Sequence, residues 1–549
     1  MKYIFVTGGV LSGLGKGITA ASIGNILKAR GLKVNLQKLD QYINIDAGTL
    51  NPAEHGEVFV TDDGAECDLD LGHYERFMDQ NVTGDSSVMT GEIYQSVIDK
   101  ERAGEYLGKT VQVIPHVTDE VKRRVRAAAT DNSYDIHIVE IGGTVGDNEG
   151  FHFVEAARQM RAEEGEGNVL YVHVVFLPYL KASDEVKTKP AQNSVRELRS
   201  VGIQPDILVA RTDYSVTDSI VEKLALYTNV ERSAILPLET VDSVYEVPHI
   251  MEDKKLDEII LKKLGIRSRK RNHAAWDKLL KTIKRKKPPV VIGMVGKYTT
   301  MLDTYASLVE ALKAAAWQNG RDLDLRWVDA EKIEKDGAKK YLADVDGVCV
   351  PGGFGVRGTE GKIQAIQYAR EQKIPYLGLC LGMQLAVIEF ARHVAGVKQA
   401  TSQEFLSDST PGVELASSPG VAKRGPSCVI HIMQEQKAIT DKGGTMRLGG
   451  WDCNLVKNSF SHQAYKRTKI RERHRHRYEF NNDFREKLEQ AGLKIAGTTP
   501  DKQLIEIIEI PDHPWFVGVQ FHPEFTSRPL TGHPLFNAFV NASLPQTSA

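Results

Sequence analysis

The sequence is poor in features that would each indicate a particular class of protein. It has 5 cysteines among 549 residues, an odd number, and no two of them have C-x-x-C spacing. A disulfide framework and a cysteine-ligated zinc site are therefore not expected, and a reducing compartment is. The net charge is −2, so overall charge gives no reason to expect a nucleic-acid or membrane partner.

Long apolar runs are lacking as well. No stretch approaches the ~20 apolar residues of a membrane-spanning helix. The first residues lack the basic start and long apolar region of a signal peptide, so we expect a cytoplasmic protein. What is present is an ordinary globular composition, 41% hydrophobic and 26% charged, over a length that requires two or more domains.

Short β-branched runs alternate with amphipathic helical stretches along most of the chain. Tyr3–Thr7 and Ile136–Ile141 in the first half, and Val290–Val295 and Tyr376–Leu379 in the second, are typical of strands buried on both faces of a parallel sheet. The alternation predicts an α/β protein with two doubly wound parallel-sheet domains.

A strongly basic segment separates the two halves. Residues 267–289 contain ten lysines or arginines and end in Pro288-Pro289. We interpret the segment as a solvated linker helix rather than an RNA-binding arm, because the prolines end it and a new strand begins at once. The two domains are accordingly placed at residues 1–266 and 290–545.

The second half carries a nucleophile pattern. The strand Tyr376–Leu379 leads into a G-x-C-x-G turn around Cys380, and a helical stretch follows. This is the nucleophile-elbow arrangement with sulfur in place of oxygen, and the helix N-terminus favours the thiolate. A buried structural cysteine is the usual alternative, but the flanking glycines favour a nucleophile.

Two further segments can complete such a site. A strand beginning at Phe516 ends in His522 and Glu524, so an imidazole could take the thiol proton and a carboxylate could orient it. Pro351–Gly355 follows another strand and could aim backbone N–H groups at a tetrahedral oxyanion. Together the motifs P-G-G-F-G, G-L-C-L-G-M-Q and F-H-P-E resemble the class I glutamine amidotransferase family.

That resemblance implies glutamine hydrolysis by Cys380, His522 and Glu524. Glu404 would receive the substrate's α-ammonium, and Arg477 would lie near its carboxylate. A nucleic-acid role for the basic stretch around Arg477 is the less favoured alternative. The glutamine-binding residues implied by the resemblance are Gly353, Leu381, Gly382, Met383, Gln384, Glu404 and Arg477.

The first half opens with a glycine-rich loop between a strand and a helix, at residues 7–17. Its backbone N–H groups could cradle phosphates, with Lys16 neutralising charge. The strict Walker pattern is not met, because Val10 stands where a glycine is usual and Gly17 where a hydroxyl residue is usual. The missing hydroxyl normally holds Mg²⁺, so the metal would depend on other ligands.

Acidic and basic candidates for a nucleotide site follow in the same half. Asp70 and Glu140 lie beside glycine-containing turns and could hold Mg²⁺. Exposed surface acids are the alternative for either residue alone. Lys187–Gln192, which reads KTKPAQ, places two lysines in an extended stretch that suits a second phosphate group; a solvated loop is the alternative.

The motifs VTGGV, LGKG, HGEV, DLDLGHYERF, EIGGTVGD and KTKPAQ, in this order, resemble the CTP synthase family, and with the second-half match the resemblance covers nearly the whole chain. It implies a carbon–nitrogen ligase of pyrimidine biosynthesis that converts UTP, ATP and glutamine to CTP, ADP, phosphate and glutamate. ATP would be bound by Gly13, Leu14, Gly15, Lys16, Gly17, Ile18, Asp70 and Val241, with Mg²⁺ at Asp70 and Glu140. UTP or CTP would be bound by Ser12, Asp147, Asn148, Glu149, Lys187, Thr188, Lys189, Pro190, Ala191, Gln192 and Lys223.

The resemblance further implies activation by GTP, feedback inhibition by CTP, a homotetramer and an enclosed passage for ammonia. Gly13, Gln41 and Asn148 depart from the family pattern and bear on nucleotide affinity. Three alternatives stay open: another two-domain amidotransferase such as a corrinoid amide synthase, a nucleotide-dependent switch with a vestigial glutaminase, and a filament-forming protein. KTKPAQ disfavours the first and the intact triad the second.

Overall fold

The computed structural model describes residues 1–11, 13–130, 134–267, 269–297, 302–406, 426–433 and 444–545. The strands, in chain order, are β1 (Lys2–Gly8), β2 (Val34–Asp40), β3 (Val58–Val60), β4 (Glu66–Asp68), β5 (Ser87–Met89), β6 (Ile136–Ile141), β7 (Val169–Phe176), β8 (Tyr179–Leu180), β9 (Glu185–Val186), β10 (Ile207–Thr212), β11 (Ile235–Glu239), β12 (Pro289–Gly296), β13 (Asp322–Asp329), β14 (Gly347–Val350), β15 (Tyr376–Leu379), β16 (Ala400–Ser402), β17 (Ser427–Ile432), β18 (Arg447–Leu455), β19 (Lys469–His476), β20 (Tyr478–Phe480), β21 (Lys494–Thr498), β22 (Ile505–Glu509) and β23 (Phe516–Val519).

The α-helices, in the same order, are α1 (Lys16–Ala29), α2 (Pro52–His55), α3 (Asp70–Met78), α4 (Thr90–Arg102), α5 (Thr118–Thr130), α6 (Phe151–Glu164), α7 (Lys189–Ser200), α8 (Asp218–Thr228), α9 (Val247–Asp253), α10 (Leu256–Lys263), α11 (Ala274–Lys284), α12 (Ala306–Gln318), α13 (Ala330–Asp336), α14 (Lys339–Leu342), α15 (Thr359–Glu371), α16 (Leu381–His393), α17 (Phe460–Tyr465), α18 (Arg485–Gln490) and α19 (Pro534–Ala542). Among the described residues, none of these helices has the length and apolarity needed to cross a membrane.

The chain divides into two compact units. The first comprises residues 1–47 and 70–280, and the second comprises residues 48–69 and the chain from 281 onward. The segment 48–69, which we call the arm, therefore packs with the second unit although it lies in the first half of the sequence.

The first unit is built on a parallel sheet with strand order β11-β10-β7-β1-β6-β2-β5. On β1, Tyr3 and Phe5 join a core that includes α5 and α6, while Ile4 and Val6, which alternate with them, are equally buried. Burial on both faces explains why these strands read as continuous apolar runs. The predicted doubly wound domain is confirmed here.

The second unit is built on a sheet with strand order β13-β12-β14-β15-β23-β22-β21-β18-β19. The pairs from β13 to β23 are parallel, and those from β23 to β19 are antiparallel. One face packs on α15 and α16, and the other on α12 and α19. The α/β class is confirmed, and the antiparallel extension is a feature that strand–helix alternation did not predict.

The basic segment between the halves contains α11, which is amphipathic. Trp276, Leu279 and Leu280 are buried, and the Trp276 ring lies 5.6 Å from Phe77 and 5.8 Å from Tyr245. Its lysines at 278 and 281 are exposed. One side of this basic helix is therefore packed into the first unit.

Candidate functional site

The nucleophile lies at a sharp turn between β15 and α16. Cys380 has φ 50° and ψ −103°, is 3% exposed, and donates its N–H to the Val519 carbonyl at 2.7 Å. A Cβ on Gly378 would lie 2.8 Å from the Gly382 carbonyl carbon, and a Cβ on Gly382 would collide with the Val350 carbonyl oxygen. Close backbone packing therefore explains both glycines of G-x-C-x-G.

The two other members of the predicted triad follow β23, which pairs with β15 in parallel. His522 Nδ1 lies 2.7 Å from Glu524 Oε1. Burial alone would lower the pKa of His522, but the charges of Glu524 and Cys380 outweigh it and raise that pKa to about 10. The carboxylate therefore makes the imidazole a strong proton acceptor for the nearby thiol.

The glycine-rich loop Pro351–Gly355 closes over this pair. A Cβ on Gly352 would lie 2.8 Å from His522 Cε1 and 3.6 Å from Cys380 Cβ. The Gly355 N–H donates to Glu404 Oε1 at 2.7 Å, and burial raises the pKa of Glu404. The loop thus brings Glu404, proposed for the substrate's ammonium group, to the catalytic pair.

A cavity of about 230 Å³ opens onto this site. Its lining includes three parts of the second unit that bear on the site: the triad, the glycine-rich loop and the arm. The residues that these parts contribute are Cys380, His522, Glu524, Pro351, Gly352, Gly353, Phe354, Pro52, Glu57 and Val58. The arm is therefore part of the wall around the nucleophile.

One arginine of β19 links the arm to the catalytic residues. Arg475 Nε donates to Glu66 Oε1 at 2.7 Å, and its Nη2 donates to the Gly48 carbonyl at 3.2 Å. The same guanidinium lies 5.2 Å from the centre of the Phe354 ring. The Arg475 carbonyl accepts the Cys380 thiol at 3.8 Å. Sequence reasoning missed this residue and singled out its neighbour at 477.

A second residue that sequence reasoning missed is Gln520. Gln384 Nε2 donates to the Tyr478 carbonyl at 2.9 Å and to Gln520 Oε1 at 3.3 Å. Because a carbonyl can only accept, this orientation leaves Gln520 Nε2 facing Cys380 Sγ, at 3.7 Å. A signal was available: along the extended chain Gln520 lies two positions before His522, and such residues point to the same side.

The other predicted glutamine-binding residues lie at three places in the second unit. Gly353 lines the cavity, and Leu381, Gly382, Met383 and Gln384 form the buried first turn of α16 after the nucleophile. Arg477 is half-buried and donates to Thr445 Oγ1 at 2.8 Å, whereas Arg475 is the arginine that lines the cavity.

The phosphate loop of the first unit lies between β1 and α1. Gly13 has φ 70° and Gly15 has φ 86°, and no described atom lies within 4 Å of a Cβ added to either. Backbone conformation rather than crowding therefore requires glycine. Lys16 Nζ donates to the Gly143 carbonyl at 2.7 Å, and burial lowers its pKa. Ser12 lies outside the described residues.

An acidic cluster lies beside this loop. A Cβ on Gly17 would collide with the Asp70 carboxylate, so an acid occupies the space of the usual hydroxyl residue. Lys38 pairs with Asp70 and lies 3.7 Å from Asp40 and 3.8 Å from Glu140. Burial raises the pKa of Glu140 to about 7. These carboxylates fit a Mg²⁺ site, because Mg²⁺ prefers oxygen ligands and would relieve their charge.

Lys38 and Asp40 were not among the sequence candidates. Both lie on β2, which pairs with β6 and places Lys38 opposite Glu140. The available signal was two charged residues near the end of an otherwise uncharged strand, at the edge of the sheet where ligands bind.

The other predicted nucleotide residues occupy loops or helices after strands of the same parallel sheet. Because the carboxyl ends of its strands share one edge, these segments belong to the edge at which open α/β sheets bind ligands. Asp147, Asn148 and Glu149 follow β6, Lys187, Thr188, Lys189, Pro190, Ala191 and Gln192 run into α7 after β7, Lys223 is on α8 after β10, and Val241 follows β11.

Comparison with known proteins identifies both halves. The family described as CTP synthase N-terminus matches residues 2–266, and the family described as glutamine amidotransferase class-I matches residues 300–542. A CTP synthase of Carboxydothermus hydrogenoformans is 54% identical over 543 residues, which cover 99% of this chain and 98% of the relative. The chain belongs to the CTP synthase family.

Another CTP synthase agrees with this result. A CTP synthase of Roseiflexus castenholzii is 55% identical, covering 99% of this chain and 95% of the relative. The glutaminase domain of Trypanosoma brucei CTPS with bound acivicin is 38% identical, with a TM-score of 0.41, and covers 46% of this chain and 93% of that one.

Family membership establishes the reaction. CTP synthases use UTP, ATP and glutamine and carry out the glutamine-dependent amination of UTP to CTP, so the chain is a glutamine-hydrolysing ligase. The predicted family, reaction and enzyme class are confirmed.

Proposed function

We propose that Cys380, His522 and Glu524 hydrolyse glutamine in the second unit, and that the ammonia aminates UTP bound to the first unit. The observation that carries the proposal is the meeting of these three side chains. Two paired parallel strands end side by side, a positive-φ turn presents the sulfur, and Glu524 lies 2.7 Å from the imidazole.

In the glutaminase step, the Cys380 sulfur attacks the side-chain amide carbon of glutamine. His522 accepts the thiol proton and delivers it to the departing ammonia, which leaves a thioester on the sulfur. Water then hydrolyses the thioester to release glutamate. Backbone N–H groups of the Pro351–Gly355 loop would stabilise the tetrahedral oxyanion, while Glu404 would receive the substrate's ammonium group.

In the ligase step, the γ-phosphoryl group of ATP passes to O4 of UTP, and ADP is released. Ammonia attacks C4 and displaces phosphate, which gives CTP. The loop residues Gly13–Ile18 would bind ATP phosphates, with Lys16 offsetting negative charge. Asp70 and Glu140 would hold Mg²⁺, together with Asp40. When bound, the metal neutralises charge on the phosphates.

The pyrimidine nucleotide and the regulators complete the proposal. We assign Lys187–Gln192, Asp147–Glu149 and Lys223 to UTP or CTP, and Val241 to the surroundings of adenine. We also propose Ser12 as a UTP contact, activation by GTP, inhibition by CTP and a homotetramer, on the basis of family membership. A cytoplasmic location is proposed because the five cysteines are few, scattered and odd in number, which is typical of a reducing compartment.

The decisive experiment measures CTP formed from UTP, ATP and Mg²⁺ with either glutamine or ammonium chloride. Cys380→Ala should abolish CTP formation from glutamine and leave formation from ammonium unchanged. Cys428→Ala, a substitution at a half-buried cysteine of the same unit, is the matched control and should behave as wild type. Loss of both activities in Cys380→Ala would contradict the division of labour.

The reciprocal variant tests the first unit. Lys16→Met should lose CTP formation from both nitrogen sources, because the phosphates lose their counter-charge, while the protein keeps a glutaminase activity measured as glutamate release. Normal CTP formation in this variant would remove Lys16 from the ATP site.

A further inference from the structure

One lysine beside the glycine-rich loop is buried, and the part of the chain that the structure describes offers it no hydrogen-bond partner. Lys362, in the first turn of α15, is 0% exposed, and its Nζ makes no hydrogen bond with any residue that the structure describes. Burying an unpaired cation is costly, so buried charges in folded proteins are normally paired. Lys362 therefore needs a reason for its place in the fold.

The position of Lys362 near the glycine-rich loop explains why it is buried. A Cβ on Gly353 would lie 3.9 Å from Lys362 Nζ and 3.6 Å from the Leu381 side chain, which follows the nucleophile. The ionisable groups that act on Lys362 are Lys297, Cys380 and Glu404. The ammonium group is thus close to the glycine-rich loop that covers the sulfur, and the charge of Cys380 acts on it.

The other charged groups nearby already have partners. Lys297 donates to the Phe354 carbonyl, and Glu404 accepts the Gly355 N–H at 2.7 Å. Burial and the neighbouring Lys297 lower the pKa of Lys362 to about 7. Negative charge on Cys380, and on the oxyanion that forms during the reaction, would therefore be the counter-charge of Lys362, and it raises the pKa of Lys362 in turn.

We propose that Lys362 is a positioning residue whose ammonium group stabilises the negative charge that develops on Cys380 and on the tetrahedral oxyanion of glutamine. The inference rests on the proposed role of Cys380. A fixed cation in a water-excluded site acts strongly on such charge, because no solvent has to reorganise when the charge forms. Fold stability is reduced in exchange, as is common at active sites.

If the charge of Lys362 supports the reaction at a cost in fold stability, removing it should raise stability and lower activity. Lys362→Met keeps the apolar stem and removes the unpaired charge, so the melting temperature should rise. The kcat for glutamine hydrolysis should fall by about tenfold or more, with little change in KM, since the charge matters most in the transition state. CTP formation from ammonium should be unchanged. Lys335→Met, at an exposed lysine of α13, is the matched control and should change none of these quantities.

Alkylation of Cys380 by iodoacetamide gives an independent readout. Its rate against pH reports the thiolate, after subtraction of the rate in Cys380→Ala. In Lys362→Met the midpoint of this profile should move to higher pH, and alkylation at neutral pH should slow by about tenfold if the midpoint rises by about one pH unit. A variant with Gln in place of Lys362 provides the same readout if the Met variant folds poorly.

Two results would overturn the inference. One is an unchanged kcat and alkylation profile in a folded Lys362 variant. The other is a lower melting temperature with parallel losses of glutamine-dependent and ammonium-dependent activity, which would make Lys362 a structural residue. Either result is distinct from failure of the proposed site itself, which would appear as glutamine hydrolysis by Cys380→Ala.

Discussion

The nucleophile turn of the second unit and the phosphate loop of the first have the same plan, since each connects a parallel strand to a helix through glycines. Their glycines are needed for different reasons. Gly382 lies against the Val350 backbone, whereas Gly17 lies against the Asp70 side chain, and Gly13 and Gly15 face open space at positive φ. The nucleophile turn is held by contacts between backbone segments. The phosphate loop depends on positive φ angles at its glycines and on the Asp70 side chain, which can move.

The largest effect is expected at the crowded turn. In Gly382→Ala the added Cβ meets backbone that cannot retreat, so glutamine-dependent CTP formation should fall by about 100-fold or more. The free energy of unfolding should drop by about 1–3 kcal/mol, as for other overpacked sites. Ammonium-dependent activity should persist. Gly167→Ala, in open space with ordinary backbone angles, is the control; a melting temperature of Gly382→Ala equal to that of the control would show that the crowding is not real.

The second prediction concerns Gly17→Ala in the phosphate loop. Here the obstacle is a carboxylate that can swing away, so the melting temperature should stay close to that of wild type. CTP formation from both nitrogen sources should fall by roughly 10- to 100-fold, and a higher Mg²⁺ concentration should be needed, because Asp70 is displaced. A Mg²⁺ titration of the rate checks this. If the melting temperature of Gly17→Ala falls as far as that of Gly382→Ala, the proposed difference between the two loops is wrong.

A smaller effect is expected at the arm. Glu66→Gln removes the charge that faces Arg475 in a buried pair with side-chain exposures of 0% and 10%. Leaving one buried charge uncompensated costs about 3–5 kcal/mol, less where a hydrogen bond remains. Since Arg475 also contacts Phe354 and Cys380, we expect glutamine-dependent kcat/KM to fall by about tenfold with ammonium-dependent activity intact.

The control for this variant is Asp62→Asn, which breaks the exposed pair with Arg471, whose side chains are 40% and 51% exposed. Exposed pairs contribute about 1 kcal/mol or less. If the two substitutions lower the free energy of unfolding in urea equally, the buried Glu66–Arg475 pair contributes no more than an exposed pair, and the arm does not support the site.

The smallest effect is a pH dependence. The pKa of His522 is raised to about 10 by Glu524 and Cys380, so the native state binds this proton more tightly than the unfolded state does. The stabilisation is complete below about pH 6.5 and is lost as pH rises through 10. The difference in melting temperature between wild type and His522→Gln should therefore shrink between pH 7 and pH 10. A constant difference would contradict the raised pKa.

Features encoded by a few contiguous residues could be predicted from the sequence. The G-x-C-x-G turn and the F-H-P-E segment each specify their own backbone, and the alternation of strands and helices specified the α/β class. Long-range pairings could not be predicted. The basic stretch around Arg475 reads as a surface, yet most of β19 is buried, because distant acids lie beside its basic side chains, Glu66 beside Arg475 and Glu506 beside His474.

The same limit applies to the first unit. Asp40 is an unremarkable acid until β2 pairs beside β6, which places Lys38, the neighbour of Asp40 on the same strand, opposite Glu140. Gln520 matters because its amide nitrogen faces Cys380 Sγ. Lys362 matters because its buried Nζ has no hydrogen-bond partner among the described residues. Spacing places Gln520 on the same side of the chain as His522, but residue type and spacing do not give the orientation of its amide or the burial of Lys362 Nζ.

The arm also has a consequence for synthesis of the chain on the ribosome. Glu66 precedes its partner Arg475 by 409 positions, and Phe59 precedes Phe525, whose ring it meets at 5.1 Å, by even more. At ~5–20 residues per second, the arm waits roughly 20–80 s for the strand that will cover it. The second unit therefore cannot fold from the chain that follows residue 281 alone, because it needs the arm, which is synthesised much earlier. A fragment that begins at residue 281 would expose the apolar and charged surface that the arm covers.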